Sequence, residues 1–582
     1  MQKLINHVDQ TVRETLEGLV MATDGVALLG SSLTVIRSDA DARRDSRVAI
    51  LSGGGAGHEP AHAGYVGSGL LTAAVSGDVF TSPSTDAVYD AVMSVGGEAG
   101  VLLVVKNYTG DILNFGLAAQ LAAADGVPVR TVVVRDDVAL INLHGDEARR
   151  GLAGTVLVHK VAGAVAEAGG SLDDVADAAQ AAADGLWTMG VGLGPCTVPA
   201  AGTPNFTFEG AQMELGLGIH GEAGVTRTDL APADEVVETL LDSITAAGDF
   251  GKDSRVALLV NGLGATPSME LSIVTRAALN SLAERGIVVE RVWTGNFLTA
   301  LDMPGCSLTL LSVDNNRLAL LDAPARSAAW VQAVAPASLA ERVLEANVRP
   351  RTSSGNRVDA SANSAPTTDA DRAAASTAAA LLEAACAALL DAEHLLTEMD
   401  QIVGDGDLGI SLARGAKAIR AEVLPGAADR SAAETLRLVS TTLSRVIGGT
   451  SGPLYASLLL GAARTLGQGD ASEARLAEAF STAVGYVTNL GGATVGDRTM
   501  MDALIPAAEA FASSIHDGAS TSTALASATR AAVAGAESTA AMTALKGRSR
   551  YLGERAVGTA DPGAQAVAIW LAAVSAELNS RG

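Results

Sequence analysis

Arg47–Gly57, RVAILSGGGAG, decides the reading of the first half of the chain. An apolar run ending in glycines is the pattern of a strand buried on both faces that delivers its C-terminal end to a site. Ligands in open α/β sheets gather at such ends. Val101–Asp111 (VLLVVKNYTGD) and Val129–Asp137 (VRTVVVRDD) follow the same plan, with Ala-rich helical stretches between them. A second set begins at Arg255 with RVALLVNGLG and continues through Ile287–Trp293 and Ser307–Val313. This alternation predicts an α/β part, residues 1–346, in two lobes of about 1–190 and 191–346.

From Asn347 the texture changes to NVRPRTSSGNRVDASANSAPTTDADR, which can bury almost nothing and reads as a linker over 347–370. A random coil of some twenty residues reaches roughly 25 Å. Beyond it strand-like runs nearly vanish. Ala/Leu stretches such as Ala373–Leu396, Glu434–Val446 and Leu476–Tyr486 predict an all-helical domain over 371–582.

At the end of one of these helices, Met399–Ser411 reads MDQIVGDGDLGIS and gathers Asp400, Asp405 and Asp407 within eight residues. Three carboxylates so close repel one another unless a cation sits among them. Gly404 and Gly406 permit the turns that aim several oxygens at one point, and hard oxygen ligands suit Mg²⁺ on a nucleotide triphosphate. The alternatives fit less well. Gly404, Gly406 and Gly409 satisfy G-x-G-x-x-G, but the intervening aspartates would repel a pyrophosphate. An EF-hand counted from Asp405 needs a Glu where Ala416 stands. A solvated acidic turn is the bland reading.

The 582 residues allow two to four domains, and 48% hydrophobic content with 3% aromatics points to Ala-, Val- and Leu-rich elements. A formal net charge of −25 argues against nonspecific nucleic-acid binding. Cys196, Cys306 and Cys386 show no paired spacing, and the first eighteen residues carry charges throughout. A cytoplasmic protein without signal peptide or membrane anchor is expected.

His58-Glu59-Pro60-Ala61-His62 matches H-E-x-x-H, which binds zinc only on a continuous helix. Pro60 forbids that, so a helix is expected to start near Pro60 with His58 in the loop before it. Gly53, Gly54, Gly55 and Ala56 would then present backbone groups to a small polar ligand beside His58. Lys106 and Asp111 fall near the same sheet edge, where a carboxylate can accept a hydroxyl proton; a solvated turn is the alternative. His220 stands in the Gly-framed GLGIHGEAG, open to close approach. In the helical part GGTSG (448–452), GGATVGDRTM (491–500), KGRSRYLG (546–553) and Asp561-Pro562-Gly563 are turns that can offer donors to phosphates or simply join helices. No G-x-x-x-x-G-K-[ST] occurs.

Together GGGAGHEPAHAGYVG, GDVFTSPS, KNYTGDILNFGLAA, GTVLVHK, GLGIHGEAG, VGDGDLG, GGTSGPLYA, GGATVGDRTMMDAL and DPGA resemble the dihydroxyacetone kinase family in its single-chain, ATP-dependent form, over nearly the whole chain. The resemblance implies a ketose-binding α/β domain followed by a helical barrel that binds ATP. It implies that His220 traps the substrate carbonyl as a hemiaminal, that Gly53–Ala56 and Lys106 hold the ketose, and that His58 and Asp111 handle the proton of the attacking hydroxyl. It places two Mg²⁺ on Asp400, Asp405 and Asp407. It places the nucleotide near Leu408, Gly409, Ser411, Thr450, Ser451, Gly492, Thr499, Met500, Asp561 and Gly563. Members of this form are homodimers in which the helical domain serves the partner chain.

Some positions depart from the family's pattern. Ala56 replaces a common Ser, Ala223 a common Pro and Thr450 a common Ser, while Leu408 fills a variable slot. The first two touch the ketose pocket, so a four-carbon ketose such as erythrulose is an alternative to dihydroxyacetone. A metal-dependent FAD-AMP lyase (cyclising) and a non-catalytic ketose sensor are alternatives from other classes.

Overall fold

The computed structural model describes residues 3–141, 145–204, 206–343, 368–467, 472–547, 549–550 and 556–581. The chain forms two compact units, Met1–Ala346 and Asn347–Gly582. Most of the expected linker lies outside the described residues.

The first unit is built on two six-stranded sheets. Strands β1 (Val26–Leu28), β2 (Thr34–Arg37), β3 (Ala49–Ala56), β4 (Ala73–Val79), β5 (Val101–Lys106) and β6 (Val129–Val134) lie in the order β1-β2-β4-β3-β5-β6. The four central and edge strands β4, β3, β5 and β6 are parallel, and the β1–β2 hairpin adds to β4 antiparallel. Every residue of β3 and β5 is buried, as a doubly covered parallel strand requires.

The second sheet is formed by β7 (Leu186–Gly192), β8 (Gln212–Leu215), β9 (Thr226–Asp229), β10 (Arg255–Gly262), β11 (Val288–Gly295) and β12 (Gly305–Ser312), in the order β11-β10-β12-β7-β8-β9. Only β10 and β11 are parallel; β12 runs antiparallel to both β10 and β7. The two sheets share an apolar cluster that joins Ile50, Leu102 and Val104 to Leu259, Leu298 and Leu311. They are also stitched by backbone bonds, Val138 N–H to Thr188 O at 2.9 Å and Thr188 N–H to Asp136 O at 2.6 Å. No helix starts near Pro60. The chain turns there and enters a short 3₁₀ segment, Ala63–Tyr65.

The described residues of the second unit contain helices and no strand. The helices are Asp369–Asp391, Glu393–Val403, Leu408–Glu422, Ala432–Val446, Ser451–Leu466, Glu473–Gly491, Met501–His516, Thr521–Ser538 and Pro562–Arg581. From Glu393–Val403 onward each packs on the next, and Asp369–Asp391 packs on Pro562–Arg581, closing a ring. Alanines such as Ala503, Ala507, Ala528 and Ala532 line its core beside Leu504 and Phe511, small enough for helices to approach closely. Residues Arg372–Asp391 are long and apolar enough to cross a membrane by length and composition alone. That helix is one stave of the ring, packed on Leu408–Glu422 as well as on the last helix.

Candidate active site

Strand β3 ends in the glycines for steric reasons. A Cβ on Gly53 would lie 2.2 Å from the Val75 carbonyl oxygen of β4. At Gly54, where φ is +151°, a Cβ would lie 3.0 Å from Nζ of Lys106 and 3.5 Å from Oδ2 of Asp111. The missing side chain leaves a notch between a cation at the end of β5 and a carboxylate in the first turn of helix Thr109–Ala124. Burial lowers the Lys106 pKa while Asp111, Glu222 and Asp136 oppose that shift. Its ammonium is buried with no hydrogen-bond partner in the protein, so it is poised for a ligand's oxygen.

After Ala56 the chain turns and presents His58, which is wholly buried. Its Nδ1 lies 2.7 Å from the Thr299 carbonyl oxygen and must donate to it, leaving the Nε2 lone pair outward. Burial, with the charges of Lys106 and His220, holds its pKa well below the ordinary value. That Nε2 lies 3.1 Å from Nε2 of His220. His220 in turn directs Nδ1 at Oε1 of Glu222 at 2.7 Å, and its backbone N–H donates to Oε2 at 3.0 Å. Burial pushes the Glu222 carboxyl up, but the hydrogen bonds and charge of His220 outweigh it and bring the pKa to about 2. An anionic Glu222 fixes the Nδ1–H tautomer of His220. Both Nε2 atoms then carry lone pairs, and that of His220 is the nucleophile that addition to a carbonyl carbon requires. The rings of Phe80 and Tyr108 pack edge-on against His220, at 5.1 and 4.7 Å between centroids.

Gly53–Ala56, His58, Lys106, Asp111 and His220 therefore border one small region of the first unit. His62 leaves it: its Nδ1 pairs with Nε2 of His159 at 3.0 Å, so the H-E-x-x-H pair does not converge on an ion. Glu222 was not singled out in the sequence; its only signal was a carboxylate two residues beyond a Gly-framed histidine.

In the second unit Asp400 closes helix Glu393–Val403, and its Oδ2 accepts from the backbone N–H of Asp407 and Leu408 at 2.9 and 3.1 Å. This folds the turn so that ligand oxygens of Asp400, Asp405 and Asp407 lie within 4.8 Å of one another. Oxygen donors at that spacing, two of them exposed, fit Mg²⁺ that keeps positions for phosphate. The turn borders a cavity of about 260 Å³ that also receives Leu408, Ser411, Thr450, Ser451, Thr499, Met500, Asp561 and Gly563.

Gly409 and Gly492 are not in its wall. A Cβ on Gly409 would lie 2.2 Å from the Glu393 carbonyl oxygen, so that glycine serves the crossing of two helices. Gly492 is a left-handed C-cap. The sequence reading also passed over two cations in the wall, Arg498 and Lys546. Arg498 is buried at φ +59° and donates to the carbonyls of Thr539, Ala556 and Thr559. Asp561 caps the last helix by accepting from Ala564 N–H at 2.8 Å. Burial raises its pKa to about 6 although Ala564 N–H and Arg498 oppose it.

The first unit thus holds His220 against His58 beside the Gly54 notch, and the second holds a carboxylate-lined cavity. The Dak1 domain matches residues 17–329 and the DAK2 domain residues 402–576. The chain belongs to the dihydroxyacetone kinase family. Within that family, a human triokinase/FMN cyclase is 41% identical over 587 residues, covering 100% of each chain. An L-erythrulose 1-kinase of Mycolicibacterium smegmatis is 36% identical over 585 residues, 99% of this chain and 100% of that one. The crystal structure of the dihydroxyacetone kinase from C. freundii in complex with AMP-PNP and Mg²⁺ matches with a TM-score of 0.62 and 35% identity, over 99% of both chains.

Proposed function

We propose that this protein phosphorylates a short-chain ketose, dihydroxyacetone first, with ATP, holding the ketose covalently on His220. The observation that carries the reading is the chain of contacts from Glu222 through His220 to His58 beside the Gly54 notch. Nε2 of His220 adds to the carbonyl carbon, the C=O π bond breaks, the oxygen takes a proton from solvent, and the positive charge left on the imidazole is balanced by Glu222 at Nδ1. Lys106 and the backbone of Gly53–Ala56 hold hydroxyl oxygens of the pinned ketose. Asp111 accepts the proton of the hydroxyl that attacks the γ-phosphorus. Asp400, Asp405 and Asp407 would hold Mg²⁺, which supplies neutralisation of the triphosphate charge. Thr450, Ser451, Thr499 and the Asp561–Gly563 turn would hold the nucleotide, with the N-terminus of helix Pro562–Arg581 favouring its anionic groups.

Covalent fixation suits a ligand too small to gain much from burial. Glycerol matches dihydroxyacetone in size but lacks the carbonyl. It is expected to be a very poor substrate, and intact-protein mass spectrometry is expected to show a ketose adduct that His220→Ala loses. Glycerol turnover equal to that of the best ketose, without an adduct, would refute covalent capture.

A four-carbon ketose is the second reading. Ala56 and Ala223 leave room in the pocket, and a relative named for L-erythrulose aligns end to end; ATP-coupled assays across C3 to C5 ketoses decide it. The human relative's name adds FMN cyclisation, tested with FAD and Mn²⁺. We further place the protein in the cytoplasm as a homodimer whose helical unit serves its own or the partner chain. In support, no disulfide joins its three buried cysteines, and Leu113, Leu117 and Leu121 form an exposed apolar ridge on one helix.

A further inference from the structure

We infer that Arg150 is a positioning residue for the carbonyl-capturing histidine: it clamps the Gly216–Gly224 loop and flanks Glu222, so that Nε2 of His220 stays aimed. The inference rests on the reading of His220 given above.

Arg150 is buried and its guanidinium is committed in three directions. Nε donates to Oδ2 of Asp137 at 2.6 Å. Nη2 donates to the Gly216 carbonyl at 2.6 Å, at the start of the loop. Nη1 lies over Gly218, where a Cβ would be 2.6 Å from it and 2.0 Å from Oε2 of Glu222. Cation and carboxylate therefore sit against the same glycine, and only a residue without a side chain fits between them. Asp137 anchors the far end of this chain of contacts. It is wholly buried, accepts from Ala139 N–H at 2.9 Å, and belongs to the segment bonded to β7.

In the loop itself Gly216 and Gly221 are both left-handed, at φ +71° and +81°. Besides Arg150, its ends are tethered by Gly216 N–H donating to the Gly190 carbonyl of β7 at 2.8 Å and by Gly224 N–H donating to Glu214 at 2.6 Å, while Leu217 and Ile219 are buried in the apolar cluster. A rigid sheet connection thus reaches His220 through a planar fork that can grip a carboxylate and a carbonyl at once. Lysine, a point donor, cannot reproduce both.

The same cation acts electrostatically. Titratable and charged groups near Glu222 are His220, Arg150, Lys106, Tyr108 and Cys196, with Asp137 and Asp136 behind. Without Arg150 the surrounding charge turns more negative and Glu222 takes a proton at higher pH. Nδ1 of His220 then loses its acceptor, and capture fails from the acid side.

The test measures ketose affinity by calorimetry, adduct by mass spectrometry and kcat at saturating ketose on the full chain at neutral pH. The variants are Arg150→Lys, Arg150→Met and the pair Asp137→Leu/Arg150→Met. The pair leaves no unpaired buried carboxylate, so it stays informative where the single methionine variant does not fold; Arg150→Lys keeps the charge over Asp137 for the same reason. Expected are about tenfold weaker ketose binding in the methionine variants and kcat at saturating ketose within about threefold of wild type. Arg150→Lys keeps the charge but not the fork, so it should lose affinity as well. Folded variants with wild-type affinity overturn the inference, as does a fall in kcat alone. A wild-type protein without an adduct instead defeats the reading of His220.

Discussion

Replacing Asp561 by Asn is expected to stabilise the helical unit at neutral pH and not in acid. Burial raises this carboxyl from its ordinary 3.8 to about 6. Each pH unit is worth about 1.4 kcal/mol, so holding the ionised group costs the fold about 3 kcal/mol. The sign follows from which state keeps the proton. Below about pH 4 the carboxyl is protonated whether the chain is folded or not, and no difference is felt. Between about 4 and 6 the folded state retains the proton longer, so wild-type stability falls as pH rises; above about 6 the full cost is present.

Asn cannot ionise and caps a helix about as well as Asp. The gain should therefore grow from near zero at pH 4 to at most about 3 kcal/mol at pH 8, less whatever the lost charge gave to Arg498 and to the helix N-terminus. Urea unfolding measures it, reading the transition that ATP displaces, since a ligand stabilises only the unit that binds it. A pH-independent difference, or destabilisation at pH 8, would show that Asp561 is not held against its charge. If the proposed placement of the nucleotide holds, KM for ATP is expected to rise about tenfold in the same variant.

Asn in place of Asp400, Asp405 or Asp407, one at a time, should remove most turnover while the ketose adduct on His220 persists; near wild-type rates in all three would end the metal assignment. Gly54→Ala places a methyl group 3.0 Å from Nζ of Lys106 at a φ that L-residues rarely adopt. It should abolish detectable ketose binding by calorimetry with ATP affinity unchanged, and retained binding would move the ketose elsewhere. Polypeptides 1–351 and 369–582 should each fold and, mixed, restore weak activity; insoluble products from both would contradict the division into two units.

What was legible in the sequence is what depends on neighbours in sequence. The apolar runs became β3, β5, β6 and β10–β12; β3, β5, β10 and β12 are buried along almost their whole length, where a strand covered on both faces needs a nearly unbroken apolar stretch. Direction was not legible: β12 is antiparallel to β10, yet it is as continuously buried as a parallel strand. The acidic turn was readable because Asp400, Asp405 and Asp407 meet over eight residues. His58 and His220, 162 residues apart in sequence, give no local sign that their Nε2 atoms will touch. Glu222 and Arg150 take their roles only from how the Gly216–Gly224 loop folds. Alanine-rich helices blurred their own ends, so the expected Ala373–Leu396 is in fact two helices meeting at Ala392, where the backbone leaves the helical path.

The ring of helices in the second unit closes only when its last member meets its first, nearly two hundred residues earlier. Gly563 of the cavity wall belongs to that last, twenty-residue helix, and Asp561 caps it. During synthesis, then, every strand and every ketose-side residue has emerged by Ser312, while the nucleotide cavity cannot form until the final helix leaves the ribosome. On the proposed reading, a chain cut short before residue 561 would hold the His220 loop complete and have no place for ATP. It would then take up ketose and pass nothing on, so a truncated product would act as a sink for the substrate of its full-length neighbours.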